Sequence, residues 1–100
     1  MDIRELTEKM HKFVQSKGWY ETDSKRPQTP RNLSISLALE AAEILEHFQW
    51  NEEFDKDALE EELADVALYL LQLASIAGID LEEAVLKKLE VNAKRKWDSE

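Results

Sequence analysis

Two pairs of carboxylates carry the first sign of chemistry in this chain. Glu40 and Glu43 stand three residues apart, and Glu62 and Asp65 repeat that spacing after eighteen intervening residues. On an α-helix residues i and i+3 share a face, so each pair projects its carboxylates the same way. Ser36 and His47 continue the Glu40–Glu43 column by one turn on either side. Leu37-Ala38-Leu39, Ala41-Ala42 and Ile44-Leu45 surround the first pair, and an apolar run follows the second. If the two segments pack face to face, all four carboxylates converge. Without a cation they would repel one another and take up protons. A hard divalent ion removes the conflict, and magnesium or manganese suits such oxygen ligands. The ordinary alternative is an acidic pair on a solvated helix face, and Glu52, Glu53, Glu60, Glu61, Glu82 and Glu83 read as that.

The elements that must hold these groups are helices. Asp2 as N-cap with Glu5 three residues on forms a capping box, and Ile3, Leu6, Met10, Phe13 and Val14 mark one face at helical spacing until Gly18. Residues 19–28 show no period and read as a loop carrying Trp19 and Tyr20. Thr29 as N-cap and Pro30 at the first helical position open a second helix, which the pattern carries to about Trp50. Asp57 with Glu60 opens a third, ending near Gly78, and Asp80 with Glu83 opens a fourth through Leu81, Val85, Leu89 and Ala93. Between Ala64 and Ala77 the third helix is apolar around almost its whole circumference. Such a helix must be covered on all sides, which three short partners can hardly do, so self-association is expected.

Composition bounds the rest. One hundred residues make a single domain, and only two Gly and two Pro argue against a turn-rich β fold. The absence of cysteine excludes disulfides, zinc–thiolate sites and thiol nucleophiles. A formal net charge of −9 disfavours nucleic-acid polymers, whose non-specific binding needs basic side chains. The longest apolar run, Val66 to Leu71, is too short to span a membrane, and the N-terminus lacks the pattern of a signal peptide. A cytoplasmic protein with no membrane partner is the expectation.

Glu40-x-x-Glu43 followed by Glu62-x-x-Asp65 resembles the metal-binding signature of the MazG-like nucleotide pyrophosphohydrolases. Thr29-Pro30-Arg31-Asn32-Leu33, the Glu40–Trp50 stretch and Glu61-Glu62-Leu63-Ala64-Asp65-Val66 resemble the short branch containing the dCTP pyrophosphatases, and the likeness continues from Asp80-Leu81 to Asn92. The resemblance implies an all-α, four-helix MazG-like bundle over residues 1–100 that completes its core by forming a dimer or tetramer. It also implies Mg²⁺-dependent cleavage of nucleoside triphosphates to monophosphate and pyrophosphate, with Glu40, Glu43, Glu62 and Asp65 as metal ligands and Mn²⁺ as a substitute. His11, Trp19, Trp50 and Tyr69 match nucleobase-contacting positions, and Lys88, Asn92 and Arg95, one stripe of the fourth helix, match phosphate- and sugar-contacting ones. Glu46 stands where a catalytic helper would. The chain departs from the pattern at Gln28, where relatives carry histidine, and in a longer loop from Trp19, both of which bear on the preferred base. Rival readings are a related phosphoribosyl-ATP-type pyrophosphohydrolase, and a non-catalytic acidic helical module that dimerises and binds a protein.

Overall fold

In the computed structural model, which describes residues 1–96 and so leaves Trp97 outside, the chain forms four helices and, among the described residues, no strand. They are α1 (Ile3–Ser16), α2 (Pro30–Glu46), α3 (Lys56–Ile76) and α4 (Leu81–Lys94). The caps explain the starts. Asp2, Thr29 and Asp80 each accept a hydrogen bond from the backbone N–H three residues on, satisfying donors that no helical carbonyl can reach. For α3 the expected cap is displaced by two residues: Asp55, not Asp57, accepts from the N–H groups of Asp57 and Ala58. With both donors satisfied there, Asp57 falls in the first turn, where its charge faces the positive end of the helix dipole.

The exits of α1 and α3 are alike. Gly18 and Gly78 hold φ of +73° and +74°, a left-handed conformation that costs glycine little. Past each of them the chain turns back, with Trp19 N–H bonding Val14 O and Ile79 N–H bonding Ala74 O. The second helix is shorter than its sequence pattern indicates. After Glu46 the bonds tighten to three-residue spacing, as in His47 N–H to Ile44 O and Phe48 N–H to Leu45 O. Phe48 then packs on Phe54 with ring centroids 5.7 Å apart, drawing the connection to α3 back on itself.

The third helix is the axis of the fold: α2 packs along it, α1 crosses it, and α4 touches it least. The buried apolar residues are Met10 and Val14 of α1, Leu33 of α2, and Leu71 and Ala74 of α3. They meet where the start of α2 lies beside the end of α3, leaving the acidic pairs further along the same antiparallel helix pair. Much apolar surface stays open. The fourth helix buries no residue, and its Val85, Leu86, Leu89 and Val91 are 47–59% exposed. The accessible surface is 8316 Å², against about 5,800 Å² for a compact monomer of this mass. The radius of gyration, 16.4 Å, likewise exceeds the ~13 Å typical of a 100-residue domain. No single helix among the described residues is long and apolar enough to cross a membrane.

Candidate metal centre and adjoining cavity

Helical spacing puts Glu40 and Glu43 on one face of α2, and the antiparallel packing of α3 brings Glu62 and Asp65 against it. One carboxylate oxygen from each of Glu40, Glu62 and Asp65 lies within 4.8 Å of the other two. Glu43 is near enough to bond both Glu40 and Glu62 when a proton is shared. At the end of the same column His47 Nε2 sits 4.0 Å from Glu62 Oε1. The other oxygen, Glu62 Oε2, is buried without a hydrogen-bond partner.

The electrostatic consequence is visible in the two inner glutamates. Burial, then a bond to the Glu43 carboxyl and the charges of Glu43, Asp65 and Glu62, push Glu40 up to about 7. Glu62 is raised for the same first reasons, burial and Glu43, with His47 pulling the other way. A buried carboxylate oxygen without a donor, among three like charges, is unfavourable unless something positive joins it. Hard oxygen donors at this spacing fit a divalent ion of the magnesium, manganese or calcium kind.

Asp65 also lines an open cavity of about 820 Å³ bordered by α1, the loop after it, α2 and α3. The stripe Asp65, Leu68, Tyr69 and Gln72 runs up one wall from the carboxylate cluster, and Ser36, one turn before Glu40, faces it from α2. Trp19 forms another wall. The left-handed Gly18 turns it back over α1, where Phe13 meets it edge-on with ring centroids 5.8 Å apart. Arg26 places its guanidinium 5.9 Å from the Trp19 ring, and Lys9 and Lys25 join it in lining the cavity of this acidic chain. An aromatic wall, cationic side chains and a cluster of hard metal donors together suit a ligand that joins a flat ring to a polyanion.

The expected contact residues divide. Trp19 and Tyr69 share the cavity with Asp65. His11 does not line it: Nδ1 is 2.6 Å from the Tyr20 hydroxyl and Nε2 is 2.7 Å from Ser75 Oγ. Trp50 is 89% exposed in the α2–α3 connection and also lies outside the cavity lining. Lys88 and Asn92 of α4, and Arg95 just after it, are likewise absent from the lining. Glu46 is exposed at the last turn of α2. Sequence reasoning passed over Gln72, which interrupts the apolar run of α3 one turn beyond Tyr69, and over Lys25 and Arg26. That polar residue within an apolar stretch, seven positions from Asp65, was the available signal.

Comparisons with known proteins bear on this arrangement. The family model described as MazG-like matches residues 35–100, which hold all four candidate carboxylates but neither α1 nor the loop carrying Trp19, Lys25 and Arg26. The dCTP pyrophosphatase 1 of Homo sapiens is 38% identical over 85 residues, covering 75% of this chain and 50% of that protein. A dATP/dGTP diphosphohydrolase of Salmonella phage PMBT28 is 50% identical over 36 residues, covering 36% of this chain and 12% of that one. Among solved structures, a pyrophosphatase from Archaeoglobus fulgidus superposes with a TM-score of 0.72 at 39% identity, over 89% of this chain and 86% of the other. The chain spans about half the length of the dCTP pyrophosphatases it matches.

Proposed function

Because the chain belongs to the MazG-like family, we propose that it is a nucleotide pyrophosphohydrolase, cleaving nucleoside triphosphates between the α- and β-phosphates. The observation that carries this reading is Asp65, which stands in the carboxylate cluster and in the wall of the aromatic cavity at once. A ring held by Trp19 and Tyr69 would then trail its phosphates toward Glu40, Glu43, Glu62 and Asp65. Those four residues would hold Mg²⁺, or Mn²⁺ in its place. When bound, the ion neutralises the carboxylates, orients the triphosphate and favours a hydroxide-like water.

The protein's own contribution is placement. Tyr69 and Trp19 offer ring faces, each worth ~1–3 kcal/mol of stacking. Lys25 and Arg26 oppose the negative field that the chain's net charge of −9 would otherwise present to a phosphate. His11 serves at one remove, by holding Tyr20. The role would be cytoplasmic nucleotide-pool house-cleaning, and the relatives named above make dCTP the first substrate to try.

A homo-oligomer, dimer or tetramer, belongs to the same proposal. The surplus surface and the bare apolar face of α4 support it. Trp50, Lys88, Asn92 and Arg95, which do not line the cavity within one chain, would be brought to the nucleotide by such an assembly. The test is a panel of ribo- and deoxynucleoside triphosphates with Mg²⁺, reading pyrophosphate and monophosphate together. Stoichiometric release of both is expected. Diphosphate plus orthophosphate, or no product with either Mg²⁺ or Mn²⁺, would overturn the reading.

A further inference from the structure

Gln72 is the most buried polar residue among those described, 3% exposed, and it lines the cavity. Its amide nitrogen donates twice, to Gln28 Oε1 at 2.8 Å and to the Tyr20 hydroxyl at 3.2 Å. The direction of these bonds is set at the far end. Gln28 Nε2 donates to the backbone carbonyl of Arg26 at 2.6 Å, and a carbonyl only accepts. Gln28 must therefore turn its own oxygen toward Gln72, which has to answer with its N–H groups. On the other side the Tyr20 oxygen accepts from Gln72 and is held in turn by His11, whose Nδ1 lies 2.6 Å from that hydroxyl and whose Nε2 lies 2.7 Å from Ser75 Oγ. Burial raises the Tyr20 hydroxyl above its ordinary value, against the bond from Gln72.

Both Gln72 amide hydrogens are thus committed, and its Oε1 has no partner among the described residues. Resting on the pyrophosphohydrolase reading, the geometry points to Gln72 as the residue that selects the nucleobase, its carbonyl oxygen accepting from an exocyclic amino group and rejecting a keto group at the same place. A keto oxygen there meets another acceptor, and Gln72 cannot turn its nitrogen inward without breaking its bonds to Gln28 and Tyr20. Sites that hydrogen-bond a substrate group discriminate more sharply than sites that merely fit its shape, because the wrong partner leaves buried polar atoms unpaired. The base class is then amino-bearing, cytosine rather than uracil and adenine rather than hypoxanthine. Gln72 comes from α3, and its orienting partners Gln28 and Tyr20 come from the loop outside the family match.

The experiment compares dCTP with dUTP, and dATP with dITP, as kcat/KM with Mg²⁺ and as dissociation constants by calorimetry with Ca²⁺. The parent should favour the amino member of each pair by roughly five- to a hundredfold. Gln72→Leu, close in size but without an acceptor, should bring each ratio near one. Gln28→Ala, on the half-buried loop, frees Gln72 to turn and should lower the ratio part of the way. It decides the matter if Gln72→Leu loses its helical circular dichroism. A merely structural Gln72 would change melting temperature and leave the amino-to-keto ratio untouched. A parent without amino preference, or a folded variant that keeps the parent's ratio, overturns the inference. Should no triphosphate be hydrolysed, the calorimetric ratios still decide it, while the pyrophosphohydrolase reading alone falls.

Discussion

Loading the carboxylate cluster with a divalent ion should release a proton, by an amount set by pH. In the metal-free protein Glu40 titrates near 7, raised from 4.5 by burial and by the carboxyls of Glu43, Asp65 and Glu62. A site with that midpoint holds about 0.9 proton at pH 6, about 0.5 at pH 7 and about 0.1 at pH 8. Metal ligation needs the ionised form, so binding must expel that fraction. Calorimetric titration with Mn²⁺ or Mg²⁺ in two buffers of different ionisation enthalpy reads it directly. Apparent affinity should rise about tenfold per pH unit below 7 and level off above 8.

The same shift fixes the sign for stability. Between pH 4.5 and 7 the native metal-free state holds a proton that the unfolded chain has lost, so stability falls as pH rises through that window. Thermal melts in EDTA should decline from pH 5.5 to 8, Mg²⁺ should reverse the decline, and Glu40→Gln should flatten it. Buffer-independent heats at pH 6.5, together with an affinity flat from pH 6 to 8, would refute the convergence of these carboxylates on one ion.

Glu43→Gln and Asp65→Asn each keep side-chain size while deleting a charge, so nearly all pyrophosphate release should vanish with helical circular dichroism intact; substantial turnover at saturating Mg²⁺ would remove the residue from the site. Trp50, 89% exposed, should be replaceable by alanine within about 0.5 kcal/mol of parental stability. If it stacks on a base in the assembled particle, Trp50→Ala raises the nucleotide dissociation constant by roughly five- to a hundred-and-fifty-fold, and an unchanged constant by calorimetry with Ca²⁺ would dismiss it as a contact. Sedimentation equilibrium at micromolar concentration should give a particle at least twice the 11.6 kDa chain mass, and a stable monomer would require another account of the open apolar face of α4.

Helix number and order were legible because their signals are local. Asp2, Thr29 and Asp80 cap what their spacing says they cap, and Gly18 and Gly78 stop α1 and α3 for reasons contained within a few residues. The shared face of Glu40 and Glu43, and that of Glu62 and Asp65, follows from helical geometry alone. The exact ends did not follow, because the last turn of α2 yields to the packing of Phe48 on Phe54, and Asp55 competes with Asp57 for the same orphan N–H groups. Which carboxylates meet was a question for the tertiary structure. Glu40, Glu62 and Asp65 meet because α2 packs along α3, a long-range effect that spacing along one helix cannot express. The same holds for Gln72, which in the sequence merely interrupts an apolar run. Its meaning depends on Gln28, forty-four positions away, and on a backbone carbonyl that sets the direction of their bond.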